Sequence, residues 1–467
     1  MMFLIPLVAL LAGVTHAQTN TSSNNTTLVP ITTANSTIQD AAPSTNITLN
    51  WASLNSYQVV AVALAMNYST IVLEDLAAVS NVECSESSVQ VTFNETTEFN
   101  EAQTQWAEHT DEIVLITNHM GNCDADFERG FFLADIESMV FSPSNMTVVM
   151  SAEKTNVTLT ALETEINFQN IPASTSAGDA SLSERSISLD QSGLTVAYEY
   201  EITSSTQIYA NANKTFTIDI THAQINSSAT YSGHIKYSLL EAKLTEMYFD
   251  VSKTLNTDLT LDFALTEPYT YTLAYSPAQM TYYIAEVPGI ISLGPALTFS
   301  IGAEFTAKAG VDVTTDVSAQ ISGATAHVDL INPSESSSSG WVPTFSATAN
   351  VTEKVEVELT PSMDVTAELE ISLFGGILDL STGVKAEPKF PVDFTVEATE
   401  SATGTVGSSN GTATASGSAS LPTGSCENGA DADVKFAFTL TAFATQWASV
   451  TLYEYSKDIV SQCYTWF

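Results

Sequence analysis

The fold of this chain is decided by a stretch of alternating apolar and polar residues, Val365-Thr366-Ala367-Glu368-Leu369-Glu370-Ile371-Ser372-Leu373. Successive side chains of a β-strand point to opposite faces, so this order places every apolar residue on one face and every acid or hydroxyl on the other. The alternation recurs across residues 293–398, for example in Val355–Leu359 and Phe394–Ala398. It is typical of a sheet with one buried side and one solvent-facing side, and it predicts a mainly β fold.

Alternating segments continue on both sides of this stretch and predict one large antiparallel β domain over residues 187–467. They include Leu194–Ile202, Phe216–Ile220, Leu259–Leu265, Tyr269–Tyr275, a strand with Val434, Phe436, Phe438 and Leu440 inward, and Trp447–Tyr455. A helix competes with strand over Lys236–Phe249. Residues 333–340 and 401–424 are rich in Ser, Gly, Thr or Ala and are predicted to be flexible. Because about 280 residues exceed one ordinary sandwich, we expect an elongated or double-layer sheet.

Residues 57–168 show mixed signals and predict a small α+β domain. Phe99, Ala102 and Trp106 recur at helical spacing between residues 98 and 109, behind Thr96 and Thr97 as possible N-caps. The predicted strands around this helix are residues 69–76, 88–93, 113–116, 131–133, 146–150 and 157–162.

The segments around these domains predict a secreted chain. Residues 1–17 contain a short apolar run and a small-residue cleavage site, as a signal peptide does. Residues 18–56 are rich in Ser, Thr and Asn and are interpreted as a disordered, glycosylated stalk. Residues 169–186 predict a linker. No later segment is long and apolar enough to predict a transmembrane helix, for which about 20 residues are needed.

Glycosylation sequons support an extracellular location behind such a leader. They occur at Asn20, Asn24, Asn25, Asn35, Asn46, Asn67, Asn94, Asn145, Asn156, Asn213, Asn226, Asn350 and Asn410. The chain has 13 Lys and Arg against 53 Asp and Glu, a formal net charge of -40. A surface of this charge repels nucleic acid and anionic lipid, so neither is an expected partner. The charge is consistent with simple solubility or with attraction of cations and basic partners.

The four cysteines predict two disulfides in an oxidising compartment, and four cysteines allow three connectivities. Pairing within each region, Cys84 with Cys123 and Cys426 with Cys463, is favoured by proximity in the sequence. Metal ligation is disfavoured because no pair has Cys-X-X-Cys spacing, and no metal or cofactor is expected.

The densest polar cluster follows a predicted buried strand over residues 119–129. Asp124, Asp126 and Glu128 alternate there and offer oxygen ligands of the kind that calcium takes. The stretch lacks the spacing of a helix-loop-helix calcium site. We therefore interpret it as a disulfide-pinned loop in which Glu128 pairs with Arg129, and we assign no catalytic role to His119.

Catalytic constellations are not evident from the sequence. No Gly-X-Ser-X-Gly elbow appears near a predicted strand-to-helix transition, and His327 is interpreted as a satisfied residue on a pleat. A pair of carboxylates for glycoside hydrolysis is defined by separation in space, which the sequence does not give. Most acids belong to the solvent-facing sides of strands, for example Glu356, Glu358, Glu368 and Glu370.

Tyr269, Tyr271 and Tyr275 are the residues proposed to contact sugar. On one strand face, each presents a flat apolar ring and a polar tip that could stack on a sugar. Core or cross-strand packing is the alternative explanation of the same pattern.

Two groups of residues resemble the domains of a family of secreted fungal proteins of unknown function. The N-terminal group is Cys84, Val89–Phe93, Trp106, Ile113–Thr117, Gly121–Cys123 and Glu128–Gly130. The C-terminal group is Leu293–Pro295, Ala326–Leu330, Gly340–Pro343, Cys426–Gly429 and Cys463. The resemblance covers nearly all of the chain outside the stalk. It implies a fungal, extracellular, two-domain protein with one disulfide in each domain, and it brings no established activity.

Together these features predict a secreted, non-catalytic glycoprotein that acts at the cell surface, in the wall or in the matrix, with wall polysaccharide or matrix as the partner. The alternative is a secreted acid glycoside hydrolase that uses two carboxylates. A third hypothesis is an apolar ligand held between amphipathic sheets, which requires a cavity.

Overall fold

The structure is a computed structural model that describes residues 24–31, 42–52, 58–109, 112–117, 123, 129–170, 194–276, 283–351, 357–396, 404–409, 412–416, 429–445 and 447–465. Most of these residues lie in β-strands, and large antiparallel sheets dominate. The predicted mainly β fold is therefore confirmed.

Among the described residues before 171, the chain forms eleven strands and two α-helices. The strands are β1 (Asn24–Thr27), β2 (Val29–Ile31), β3 (Ser44–Ala52), β4 (Gln58–Val72), β5 (Val79–Cys84), β6 (Ser88–Phe93), β7 (Ile113–Thr117), β8 (Gly130–Ala134), β9 (Val140–Ser142), β10 (Thr147–Thr155) and β11 (Ala161–Asn170). The helices are α1 (Thr96–Trp106) and α2 (Val157–Thr160), with short 3₁₀ turns at Leu73–Asp75 and Ile136–Ser138.

After residue 193 the described residues are almost entirely strand, and they include a 3₁₀ turn at Pro333–Glu335. The strands are β12 (Leu194–Ile202), β13 (Thr206–Ala210), β14 (Phe216–Ser238), β15 (Lys243–Leu265), β16 (Tyr269–Tyr275), β17 (Tyr283–Val287), β18 (Ile291–Ala307), β19 (Val311–Asp329), β20 (Ser337–Ser339), β21 (Thr344–Val351), β22 (Val357–Leu373), β23 (Leu378–Lys389), β24 (Val392–Val396), β25 (Gly404–Ser409), β26 (Thr412–Ser416), β27 (Gly429–Ala444) and β28 (Trp447–Thr465).

Sheet A is built around three long neighbours, β18, β22 and β23, in the order β1-β17-β18-β22-β23-β27-β28. β16 pairs with the second half of β18, and β24 pairs with both β22 and β27. Apart from the parallel β1–β17 pair, the sheet is antiparallel. The stretch that decides the fold, residues 365–373, lies in its central strand β22.

Sheet B is organised by β14, whose whole length pairs with β15 on one side. On the other side β13, β12 and β11 follow one another along it. The order continues from β15 through β19 and β21 to β25, and from β11 through β4 to β3 and β2. Because β11 belongs to the first predicted domain and β14 to the second, the two regions share a continuous sheet.

The two sheets pack face to face through one large core, as the expected double layer does. Phe216 and Phe263 of sheet B lie 5.1 and 5.2 Å from Phe305 of sheet A, measured between ring centroids. Further along, Phe345 of β21 stacks on Phe436 of β27 at 4.0 Å. Such offset and stacked aromatic pairs add to the free energy gained by burying apolar surface.

Two polar groups bridge the sheets inside this core. The Lys253 amine on β15 donates to the Val365 carbonyl on β22 at 2.9 Å. The Tyr231 hydroxyl on β14 donates to the Ala296 carbonyl on β18 at 3.4 Å. Both side chains are fully buried, so each bond offsets part of the cost of removing a polar group from water.

A second, smaller core surrounds α1 in the first region. Phe99, Ala102 and Trp106 are buried on one face of α1, as their spacing predicts. Phe93 of β6 contacts both Phe99 and Trp106 at 5.8 Å between ring centroids. The predicted N-caps are wrong, because Glu95 precedes the first turn and no side chain caps it.

The predicted disordered stalk is wrong for residues 44–52, which form β3. Leu49 and Trp51 are almost fully buried, and β3 pairs with β4 over most of its length. Residues 24–27 also pair, in parallel, with β17 of sheet A. A segment this polar could not form a core of its own. Here it adds a few apolar side chains to an existing core, and its backbone pairs with the edge of β4.

Three other local predictions are corrected by the structure. Lys236–Phe249 forms the β14–β15 hairpin rather than a helix, since each arm pairs with a neighbouring strand. Gly404–Ser409 and Thr412–Ser416 form a hairpin within the predicted flexible segment, because backbone pairing needs no large side chains. Residues 157–160 form α2, whose first turn is capped by the Asn156 side chain, and strand begins only at Ala161.

Candidate functional site

The outer face of sheet A presents a grid of polar residues because apolar residues alternate inward. Gly294, Glu370 and Ser381 lie opposite one another on β18, β22 and β23. Ser292, Ser372 and Asp379 form the next row towards the β22–β23 turn. The pleat therefore places hydroxyls and carboxylates from three strands beside one another.

These two rows line a groove of about 400 Å³ on the outer face. Its lining residues are Ser292, Gly294, Glu370, Ile371, Ser372, Asp379, Leu380, Ser381 and Thr445. Glu370 and Asp379 are exposed, whereas Ile371 and Leu380 are buried. The lining contains four hydroxyls, two carboxylates and no cationic side chain, so it favours a ligand that donates hydrogen bonds and carries no negative charge.

Hydrogen bonds fix one wall of the groove. The Ser381 hydroxyl donates to Glu368 Oε1 on the adjacent strand. The Thr445 hydroxyl accepts from the Ser381 amide at 2.7 Å and donates to the Ser381 carbonyl at 2.9 Å. These bonds hold Ser381, Glu368 and Thr445 in place, while no described residue holds the Glu370 and Asp379 carboxylates.

Phe443 borders the groove one row further along. It lies opposite Gly383, which in turn lies opposite Glu368. A Cβ at residue 383 would be 2.6 Å from Phe443 Cζ, so the absence of a side chain there lets the ring lie against the sheet. Phe443 is half-buried and faces outward, because its neighbours Ala442 and Ala444 are buried in the core.

The comparison with known proteins covers both regions of the chain. Residues 199–465 match the family described as a domain of unknown function, DUF7223, and residues 63–165 match another domain of unknown function, DUF7029. The first match spans more than half of the chain. The chain belongs to the DUF7223 family. No curated protein and no solved structure matches it.

The groove lies wholly within the DUF7223 region, residues 199–465. The alternating pattern assigns Glu368 and Glu370 to a solvated face, and nothing in the sequence singles out Asp379 or Phe443. The available signal was the pair of glycines, Gly294 and Gly383, on the polar face of otherwise alternating strands. A glycine in a strand often marks the close approach of another group.

A row of aromatic and imidazole rings crosses the outer face of sheet B. Tyr248 lies between His234 and His327, with 5.2 Å between ring centroids on each side. His327 Nδ1 is 2.8 Å from Asp250 Oδ1, and His234 Nδ1 is 2.9 Å from Asn167 Oδ1. Burial, followed by the nearby acids, raises the pKa of Tyr248.

This row gives the histidines structural partners. Glu246 lies 3.5 Å from His234 Nε2, and Glu165 lies 3.7 Å from Nδ1. Within the described ranges, the hydrogen bonds, ion pairs and ring contacts of His234 and His327 go to carboxylates, an amide and a tyrosine ring. The interpretation of His327 as a satisfied histidine on a pleat is confirmed.

Asp316 and Asp364, two described acids of the DUF7223 region, have raised pKa values. Burial and then the neighbouring Asp258 raise the pKa of Asp316, and His222 opposes this. Burial also raises the pKa of Asp364, against a hydrogen bond from Lys385 at 3.0 Å. Lys385 is paired again with Glu387, so this acid belongs to an ion-pair network on sheet A outside the groove.

The tyrosines proposed to contact sugar lie at the edge of the core. Tyr271 stacks on Tyr209 at 4.0 Å, and Tyr269 lies 5.0 Å from Phe216. The Tyr209 and Tyr269 hydroxyls are 3.1 Å apart, and this bond together with burial raises the pKa of Tyr209 to about 12. Tyr275 packs against the same core. The structure therefore favours the packing explanation for Tyr269 and Tyr271.

Arg129 of the first region anchors β2 and β3 through its side chain. The Arg129 guanidinium donates from Nη2 to the Ile31 carbonyl at 3.2 Å and to the Asn50 carbonyl at 3.5 Å. The guanidinium carbon lies 4.8 Å above the Trp51 ring. Burial lowers the pKa of Arg129, while Glu74 and Asp75 oppose this.

Cys84 and Cys123 form a disulfide, in the pairing that sequence proximity favours. His119, Asp124, Asp126, Glu128 and Cys426 lie outside the described residues, and so does the side chain of Cys463.

In the described part of the chain, His, Cys, Asp and Glu form no group of three that could hold a metal ion. No helix in that part is long and apolar enough to cross a membrane.

Sequon asparagines with described side chains lie on the outside of the molecule. Asn46, Asn67, Asn94, Asn145, Asn156 and Asn213 are exposed. Asn226 is half-buried on the outer face of β14. Asn156 caps α2 through Oδ1, which leaves its amide nitrogen, the atom that carries a glycan, outside that bond. The other predicted sequons, Asn20, Asn24, Asn25, Asn35, Asn350 and Asn410, have no described side chain.

Proposed function

We propose that this chain is a secreted, non-catalytic glycoprotein that acts at the cell surface or in the wall of a fungus, with polysaccharide as its partner. The observation that carries the proposal is the outward position of the sequon asparagines across both regions. The hydroxyl-rich groove on sheet A supports the choice of partner, because sugars offer many hydrogen-bond donors.

Fractionation of cells that secrete the full chain tests this proposal. A tagged chain should be found in washed walls, and removal of N-linked glycans should lower its apparent mass. A variant with Asn46, Asn67 and Asn213 each changed to Gln should show a smaller mass shift. Complete recovery in the medium, with no affinity for washed wall material, would contradict the proposal.

A second function, an acid glycoside hydrolase, is favoured by one observation. Glu370 and Asp379 both line the groove, on adjacent strands and with no described partner holding either carboxylate. Two carboxylates on opposite sides of a glycosidic bond are what such hydrolysis requires. Release of soluble sugar from wall glucan, with an acidic bell-shaped pH profile that Glu370→Gln abolishes, would support this function over the first.

A further inference from the structure

The groove on sheet A combines features that suit one class of ligand. Its carboxylates are hydrogen-bond acceptors only, and its hydroxyls both donate and accept. An anionic ligand would meet Glu370 and Asp379 without a cation to offset them, on a chain of net charge -40. The ligand must therefore donate several hydrogen bonds and carry no acidic group.

Phe443 adds an apolar surface beside these polar groups. Its ring lies against the backbone at Gly383, next to Glu368 and one row from the groove. A sugar ring has an apolar face of C–H groups and an edge of hydroxyls. An aromatic side chain beside carboxylates and hydroxyls matches both parts of such a ring.

The backbone of the site and its Ser381–Thr445 wall are held in place by the surrounding strands. Its residues lie on β18, β22, β23 and just after β27, four neighbouring strands that pair over long stretches. Thr445 and Ser381 are fixed by mutual hydrogen bonds. A preformed site loses less conformational entropy on binding than a flexible one.

We infer that the groove beside Phe443 binds a saccharide without acidic groups, with Glu370 and Asp379 accepting hydrogen bonds from its hydroxyl or amino groups and Phe443 packing on its apolar face. This inference rests on the proposed function and assigns a site to it. It replaces Tyr269 and Tyr271 as the sugar-contacting residues.

Calorimetric titration of the full secreted chain tests the inference with four soluble oligosaccharides: a glucose oligomer, an N-acetylglucosamine oligomer, a glucosamine oligomer and a galacturonate oligomer. At least one of the first three should bind, and the galacturonate oligomer should not. Among the three, the tightest binder identifies the neutral, acetylated or amino form. Preferred binding of galacturonate would overturn the inference.

Variants locate the site. Glu370→Gln and Phe443→Leu should each weaken binding at least tenfold, since leucine keeps the bulk over Gly383 but removes the ring. Glu358→Gln is the matched control, because Glu358 is exposed on the same face of the same strand, away from the groove. Thermal unfolding should show that all three variants fold.

Wall retention separates this inference from the proposed function. If the wild type is retained on walls and the groove variants are retained equally, the groove assignment is wrong and the proposed function stands. If the wild type is not retained and binds none of the four oligosaccharides, both fail.

Discussion

Lys253 places an amine in an apolar core, where its bond to the Val365 carbonyl joins the two sheets. Its cross-strand neighbours are Ala229 and Ala324, whose small side chains leave room for the lysine. Burial lowers the pKa of Lys253 to about 7. In the unfolded chain the lysine has a pKa of about 10.4. The folded state therefore disfavours the charged amine relative to the unfolded state.

This shift makes the stability of the fold depend on pH in a defined window. Between about pH 7 and pH 10 the unfolded chain binds the proton and the folded chain does not, so stability should rise with pH by about 1.4 kcal/mol per unit from this group. Below pH 7 the amine is charged in both states, and the full cost of about 5 kcal/mol is present and constant.

Lys253→Met should remove that cost, because a hydrophobic side chain of similar length replaces a buried amine. We expect the variant to be more stable than the wild type at pH 6, with the difference shrinking as pH rises from 7 to 9.5. Denaturant unfolding of both proteins across this range measures the difference between their free energies of unfolding. Contributions of the other titrating groups are the same in both proteins and cancel in this difference. A difference that does not change with pH would contradict the lowered pKa.

The disulfide between Cys84 and Cys123 closes a loop with a sequence separation of 39 residues. Its loss should cost about 4 kcal/mol in the chain-entropy model. Unfolding of a Cys84→Ser, Cys123→Ser double variant measures this cost. An unchanged unfolding midpoint would mean that the bond adds nothing to stability.

At the scale of elements, β3 tests whether the N-terminal segment belongs to the fold. Trp51 is 1% exposed and contacts the Arg129 guanidinium. Trp51→Ala should cost about 3–5 kcal/mol through the cavity and lost contacts. Thr45→Ala, at an exposed position of the same strand and outside the Asn46 sequon, is the control. If both substitutions leave the unfolding free energy unchanged, the segment is a stalk as the sequence predicts.

The long strands were predictable because alternation is local. β22 and β16 lie where the pattern indicates them, and Ile113–Ile116 is a buried strand as expected. β3, β25 and the β14–β15 hairpin were not predicted, since their stability comes from partners distant in the sequence. Pairing of β3 with β4 gives a polar segment a place that its own composition does not reveal.

The candidate site was less predictable than the fold for a related reason. Glu370, Asp379 and Phe443 are brought together by the register of β22, β23 and β27. An exposed glutamate in an alternating strand has the same local pattern whether it solvates a face or lines a groove. The tyrosines were predicted to contact sugar because they cluster in the sequence. Their ring contacts are instead with Phe216 and Tyr209, which lie on other strands.

At the scale of the whole molecule, a two-sheet sandwich with polar outer faces and outward sequons suits binding to an extended polymer. The net charge of -40 disfavours acidic polysaccharides and favours neutral or amino-bearing ones. Screening by salt should therefore weaken binding to a glucosamine polymer more than binding to a neutral glucan. Titrations at low and high ionic strength measure this contrast, and equal salt dependence would contradict it.

The most direct test of the central claim is to incubate the purified full chain with insoluble fungal wall glucan and chitin and to assay the supernatant for protein and for soluble sugar. A non-catalytic wall-binding glycoprotein should leave the supernatant depleted of protein and free of released sugar. Protein that stays in solution, or sugar that appears there, would contradict the account.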